Sequence, residues 1–311
     1  MKKTMELRKP DWLKIKLPGG SSFQTVKSVL SQHHLHTVCD EAHCPNKEEC
    51  WSHKTATFMI LGDVCTRNCR FCNVDPSSTF APKGATVDRP SPTPMLEVDL
   101  QEPKNLAKAV SLLDLKYTVL TCVTRDDLDD GGAGHWAACI NAVRAKNPDC
   151  KIEVLISDMQ GDEDDLQTIL DAKPDVVAHN LETVERLYST ARPQADYQRS
   201  LDVLKYISNA GFITKTGVMV GLGETPAEME EMMRDAVAHG ADVLTIGQYL
   251  QPTREHLDVE EYLHPDKFKE YKDKALEIGI AHVESGPLVR SSYHAKESYE
   301  KLRADLGSAR T

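Results

Sequence analysis

The feature that most constrains the fold is a regular alternation of short apolar runs with helical segments from Thr57 onward. The apolar runs have the length of strands and lie at 57–61, 117–123, 152–156, 175–178, 213–220 and 243–246. The segments between them have helical periodicity, and several end at a glycine, as at Gly211, Gly240 and Gly279. Strands and helices that alternate along a chain form a parallel sheet with both faces covered.

The length of this alternating stretch selects among parallel-sheet folds. A complete eight-fold barrel typically needs about 250 residues, and the stretch is shorter than that. We therefore predict an α/β fold, a partial (βα)6 TIM-type barrel, with a doubly wound open sheet as the alternative. The predicted organisation is an N-terminal cysteine-rich extension at 1–55, the barrel at 56–285 and a C-terminal extension at 286–311. A proline-rich stretch at 75–97 indicates an irregular insertion.

Polar residues follow five successive predicted strands, at the end where such folds place their active sites. In strand order they are Thr124 to Asp127, Ser157 and Asp158, His179 with Asn180 and Glu182, Gly221 with Gly223 and Glu224, and Gln248. Capping of the next helix could explain any single one of them. A common site at one rim explains the whole set better.

Six of the nine cysteines form two triplets, Cys65-x3-Cys69-x2-Cys72 and Cys39-x4-Cys44-x5-Cys50. Closely spaced thiolates are typical ligands of iron–sulfur clusters. Three ligands leave one iron of a four-iron cube free to bind a small molecule, whereas an electron carrier normally has four. The first triplet follows a predicted strand, and this position favours a catalytic cluster there.

Either triplet with a nearby histidine could instead form a structural zinc site. For the Cys39 triplet, with His43 or His53 as the fourth ligand, zinc fits as well as a cluster does. The isolated Cys122, Cys139 and Cys150 are predicted to be small core residues.

Charge and hydropathy exclude two classes of partner. The chain has 37 Lys and Arg residues against 48 Asp and Glu residues, a net charge of −11, so it lacks a general attraction for nucleic acid. No apolar stretch approaches the length of a membrane span. Charged residues soon follow Met1, where a signal peptide would be apolar. We expect a cytoplasmic protein with reduced cysteines and no nucleic-acid or membrane partner.

The segment from Cys65 to Cys72, with Phe71 before the last cysteine, resembles the signature of radical S-adenosylmethionine (SAM) enzymes. The Cys39 triplet and the tail motif Arg290-Ser291-Ser292-Tyr293 narrow the resemblance to the lipoyl synthase family. Further matching segments are 37–39, 125–128, 131–133, 178–183, 221–224 and 286–289, so the resemblance covers most of residues 36–295.

This resemblance implies radical SAM-dependent insertion of two sulfur atoms at C6 and C8 of a protein-bound octanoyl-lysine. These carbons are unactivated, so acid–base chemistry cannot ionise them and a radical cofactor is needed. The implied cofactors are SAM and two [4Fe-4S] clusters, and the second cluster is the implied sulfur donor. The implied ligands are Cys65, Cys69 and Cys72 for the first cluster, and Cys39, Cys44, Cys50 and Ser292 for the second, with Ser291 as the less favoured serine.

The implied contacts of SAM are Asn180, Glu182, Arg192, Gly221, Gly223 and Glu224. The implied partners are an octanoylated carrier (a lipoyl domain of a 2-oxoacid dehydrogenase or the glycine cleavage H protein), an electron donor such as ferredoxin or flavodoxin, and an iron–sulfur carrier that rebuilds the consumed cluster. A biotin synthase-like enzyme would lack the Cys39 triplet and the tail motif. A two-cluster electron carrier would need a fourth cysteine for each cluster.

Overall fold

A computed structural model of the chain describes residues 8–14, 21–52, 56–77 and 97–308. Within these residues the strands are β1 (His36–Thr37), β2 (Thr57–Ile60), β3 (Val64–Cys65), β4 (Asp75–Pro76), β5 (Tyr117–Cys122), β6 (Lys151–Leu155), β7 (Val176–Ala178), β8 (Ile213–Val220), β9 (Val243–Gln248) and β10 (His282–Gly286). The α-helices are α1 (Ser21–Gln32), α2 (Val38–Glu41), α3 (Lys47–Ser52), α4 (Glu102–Leu112), α5 (Ala133–Lys146), α6 (Glu163–Asp171), α7 (Tyr188–Ala191), α8 (Tyr197–Asn209), α9 (Pro226–Ala238), α10 (Pro265–Ile278) and α11 (Ala295–Ser308). Most of the proline-rich stretch lies outside the described residues.

The main sheet has the order β1-β2-β5-β6-β7-β8-β9-β10, and β3 pairs separately with β4. Every pair of the main sheet is parallel except β1 with β2. Helices follow the strands in alternation. The predicted α/β partial barrel is confirmed, and all six predicted strands are present as β2 and β5 to β9.

One parallel strand of the main sheet, β10, was not predicted from the sequence. It pairs with β9 from His282 to Gly286. Its apolar content is too small for recognition, because Val283 is flanked by His282 and Glu284. These two side chains satisfy each other through a contact of 3.0 Å between His282 Nε2 and Glu284 Oε1, so polar residues occupy the edge strand without an unpaired charge.

The two edges of the main sheet do not pair with each other within the described residues. Side chains near the N-terminal edge instead contact the segment after β10. Asn46 Nδ2 donates to the Leu288 carbonyl at 2.6 Å, and Thr57 Oγ1 donates to Ser292 Oγ at 2.7 Å. The segment around 46–57 and the segment at 288–292 therefore meet beside the open side of the barrel.

Local sequence explains where the helices begin. Thr225 and Glu228 form a reciprocal capping box at α9, with Pro226 in the first turn. Asp162 and Asp196 accept backbone N–H groups at the starts of α6 and α8. No described helix is both long and apolar enough to cross a bilayer.

A buried polar cluster crosses the sheet below the site. Lys215 Nζ of β8 donates to one oxygen of Glu153 in β6 at 2.7 Å, and the Tyr117 hydroxyl donates to the other at 2.5 Å. Tyr299 of α11 packs against Tyr117, with 5.7 Å between ring centroids. The buried charges are thus paired and hydrogen-bonded, as burial requires.

Candidate functional site

A cavity of about 330 Å³ lies at the carboxyl ends of the parallel strands. Both cysteine triplets line it, together with residues of the tail motif. Its lining includes Cys39, Cys44, Cys50, Cys65, Cys69, Cys72, Arg67, Asp158, His179, Asn180, Glu182, Arg192, Arg290, Ser291 and Ser292. The sheet topology brings together residues that are more than 250 positions apart, such as Cys39 and Ser292.

The loop that carries the first triplet begins in β3. Backbone N–H groups of Arg67 and Thr124 donate to Cys65 Sγ at 3.4 and 3.3 Å. The Cys72 N–H donates to the Cys69 carbonyl at 3.0 Å, which turns the loop back on itself. Hydrogen bonds to sulfur favour the thiolate form that binds iron.

Arg67 anchors this loop to the barrel rim. Its guanidinium donates to both carboxylate oxygens of Asp126, at 2.7 and 2.9 Å, and to Asp158 Oδ1 at 2.6 Å. Arg199 donates to the other oxygen of Asp158 at 3.0 Å. Burial alone would raise the pKa of Asp158, but Arg67 holds that pKa below its ordinary value. The loop is therefore fixed to the ends of two strands through a bidentate ion pair.

Two cysteines of the second triplet lie on short helices outside the barrel, and Cys44 lies in the connection between these helices. Cys39 belongs to α2, which Thr37 caps by accepting the Asp40 N–H at 3.2 Å. Cys50 belongs to α3, and its N–H donates to the Asn46 carbonyl at 2.9 Å. Asn46 in turn binds the segment before the tail motif, so the helix bearing Cys50 is tied to that segment.

Burial raises the pKa of Cys39 to about 11 and the pKa of Cys50 and Cys72 to about 12. Burial also raises the pKa of Cys65 and Cys69. Without a bound cation these groups are neutral thiols at pH 7. Iron binding must therefore displace their protons, so cluster assembly should be favoured by higher pH.

The tail motif crosses the cavity close to β9. Ser291 Oγ accepts from Asn180 Nδ2 at 2.7 Å, whereas Ser292 Oγ accepts from Thr57. Gly247 of β9 allows this approach, because a Cβ there would lie 2.1 Å from the Val289 carbonyl oxygen. The two serines thus face different sides of the site.

Three polar side chains of the wall have an atom without a hydrogen-bond partner among the described residues. These buried atoms are Asn180 Oδ1, Arg192 Nε and His179 Nε2. Burial lowers the pKa of His179 to about 4, so its imidazole is neutral. Burial raises the pKa of Glu182, which has φ of 66° beside the cavity. Buried polar atoms are costly to leave unpaired, so this wall fits a polar ligand such as SAM.

The structure does not bring all predicted SAM contacts to the cavity. Gly221, Gly223 and Glu224 follow β8 but are not among its lining residues. The Glu224 carboxylate instead accepts the N–H groups of Gly221 at 2.6 Å and Leu222 at 2.9 Å. Gln248 likewise ties loop backbone together, since its Nε2 donates to the Glu261 carbonyl at 2.9 Å.

Comparisons with known proteins agree with this geometry. The radical SAM superfamily model matches residues 59–236, and the model for the N-terminal domain of lipoyl synthase matches residues 1–44. Lipoyl synthase of Halalkalibacterium halodurans is 51% identical over 305 residues, covering 97% of this chain and 95% of the relative. Lipoyl synthase of Caldicellulosiruptor saccharolyticus is 51% identical over 296 residues, covering 94% and 98%.

The chain belongs to the lipoyl synthase family of radical SAM enzymes. It carries out radical SAM-dependent sulfur insertion at C6 and C8 of a protein-bound octanoyl-lysine, with SAM and two [4Fe-4S] clusters as cofactors. The fold alone is shared with methylornithine synthase, at 14% identity and a TM-score of 0.52 over 73% of this chain and 69% of that one.

Several residues of this lipoyl synthase site were missed in the sequence. Arg67, Thr57 and Gly247 line the cavity, but a lone arginine, threonine or glycine carries no spacing signal. Cys122 was predicted to be a core residue, yet it also lines the cavity and is only partly buried. Its position at the end of β5 was the available signal, since strand ends form the rim.

Proposed function

We propose that the cavity holds both clusters and SAM, with one cluster on Cys65, Cys69 and Cys72 and the other on Cys39, Cys44, Cys50 and Ser292. The observation that carries the proposal is that all seven residues line the same cavity. A soft thiolate set fits iron–sulfur clusters, and the mixed set with one hard oxygen gives the second cluster one weaker ligand. Both donor sets therefore fit the iron–sulfur cluster assigned to them.

When bound, SAM and the first cluster supply the radical that removes hydrogen, and the second cluster supplies the inserted sulfur. The residues of the chain bind and orient these groups. Asn180 and Arg192 offer unpaired polar atoms to SAM, and Glu182 offers a carboxylate. Apolar side chains of the same cavity, among them Met59, Phe71 and Val218, provide a dry path for an octanoyl chain.

Contact of Gly221, Gly223 and Glu224 with SAM stays a prediction. Any such contact requires bound SAM to extend beyond the cavity lining toward the end of β8. The division into a cysteine-bearing extension at 1–55, a barrel at 56–285 and a tail at 286–311 belongs to the same proposal. Contacts such as that of Asn46 with Leu288 support it, because they join the extension to the tail.

The substrate carrier is an octanoylated protein. We propose a lipoyl domain of a 2-oxoacid dehydrogenase or the glycine cleavage H protein as that carrier. Reductive cleavage of SAM needs one electron from outside, so a ferredoxin or flavodoxin is the proposed donor. Consumption of the second cluster requires an iron–sulfur carrier to rebuild it. The free cysteines support a reducing location such as the cytoplasm.

The test separates the two triplets. Anaerobically reconstituted protein should contain about eight irons per chain, as expected for two four-iron cubes. Cys69→Ala should abolish 5′-deoxyadenosine formation. Cys44→Ala should still form it but yield no thiolated carrier. Stoichiometric zinc in place of iron, or equal SAM cleavage by both variants, would contradict the assignment.

A further inference from the structure

Thr57 joins the start of the barrel to a candidate ligand in the tail motif. It is the first residue of β2, is buried, and lines the cavity. Its hydroxyl donates to Ser292 Oγ at 2.7 Å, across 235 positions of sequence. A single strand residue of the barrel therefore contacts the serine proposed to complete the second cluster.

A hydrogen bond to an oxygen ligand affects how that ligand binds iron. A serine oxygen bound to iron carries negative charge, and a short O–H···O⁻ hydrogen bond stabilises that charge. Partners of this kind orient metal ligands and tune their affinity. Ser291 receives its hydrogen bond from Asn180 instead, so the Thr57 hydroxyl distinguishes the two adjacent serines.

We propose that Thr57 is a positioning residue for the second cluster, orienting Ser292 and setting how readily the serine-bound iron leaves. The inference rests on the proposed ligand role of Ser292. Without the hydroxyl, the serine oxygen loses its donor and its fixed orientation, so the iron that it binds should be released sooner. Iron would then leave before the substrate radical has reached the cluster.

The experiment follows anaerobic transfer of iron from reconstituted two-cluster protein to a ferrous chelator. Thr57→Val, which keeps the shape and removes the hydroxyl, should release one iron per chain roughly 10- to 100-fold faster than wild type. Thr57→Ser should restore slow release. Thr118→Val is the matched control, because Thr118 is a buried strand threonine whose hydroxyl has no hydrogen-bond partner among the described residues.

Ser292→Ala separates failure of this inference from failure of the ligand assignment. Fast release in Ser292→Ala, with no further acceleration on adding Thr57→Val, would support both. Fast release in Ser292→Ala but wild-type release in Thr57→Val would overturn the role of Thr57 alone. Wild-type release in Ser292→Ala would overturn the ligand assignment itself. Equal acceleration by Thr118→Val would show a general packing effect and would also overturn the inference.

Discussion

Replacing Gly247 by alanine should displace the tail motif from the site. The new Cβ would lie 2.1 Å from the Val289 carbonyl oxygen, whereas ordinary contacts begin at 3.4 Å. The obstacle is backbone, so the segment before Ser291 and Ser292 must retreat by about 1.3 Å to reach an ordinary contact. Overpacking of this kind costs about 1–3 kcal/mol of folding stability.

The variant that remains folded should also lose activity. A misplacement of about 1 Å in a reacting group can reduce the rate about hundredfold. We therefore expect Gly247→Ala to lower the yield of dithiolated carrier about hundredfold, and 5′-deoxyadenosine formation far less. Mass spectrometry of the carrier and chromatography of the nucleoside measure the two products in one reaction.

Gly286→Ala provides the matched control. Gly286 pairs with Gly247 across β9 and β10, but a Cβ there would lie 3.4 Å from a Val289 methyl group, an ordinary contact. This variant should keep most of the sulfur insertion. Equal yields of dithiolated carrier from the two alanine variants would refute the argument from close approach.

Three further variants test other parts of the account. Arg67→Met should lower the free energy of unfolding of the apo-protein in urea by about 3–5 kcal/mol, because buried Asp158 loses one of its two arginine partners. The same change should lower the iron content of the first cluster. Since Arg67 holds the pKa of Asp158 low, the difference in stability from wild type should shrink as the pH falls below about 4. Lys215→Met should lower the free energy of unfolding by a similar amount, about 3–5 kcal/mol in urea, because it removes the cationic partner of buried Glu153. It should leave the iron content of the folded protein unchanged. Ser292→Cys should retain iron longer under chelation and form less dithiolated carrier in one turnover, because thiolate is the softer ligand. Unfolding midpoints equal to wild type, or faster iron loss in Ser292→Cys, would contradict these expectations.

The sequence was sufficient to predict the parts of the fold with a strong local signal. Six strands carry apolar runs, and their helices carry caps such as Asp162 and Asp196, so pattern and structure agree. β10 has one central apolar residue between a paired histidine and glutamate. Its membership in the sheet depends on pairing with β9, which no local pattern encodes.

The same distinction applies to the site, where some residues have a local sequence signal and others depend on tertiary contacts. The spacing of the cysteines predicted two triplets, and the structure brings both to one cavity. Gly247 acts through the close approach of a tail that is distant in sequence, and Thr57 acts through a hydroxyl aimed at Ser292. Such roles come from tertiary contacts, so residue type and spacing could not reveal them.

The most direct test of the central claim is the origin of the inserted sulfur in a single turnover. Protein reconstituted with isotopically heavy sulfide would be freed of excess sulfide and mixed with SAM, reductant and an octanoylated carrier. The account predicts that both inserted atoms are heavy, that at most one carrier is dithiolated per chain, and that Cys44→Ala yields none. Light sulfur in the product, or dithiolated carrier from Cys44→Ala, would contradict it.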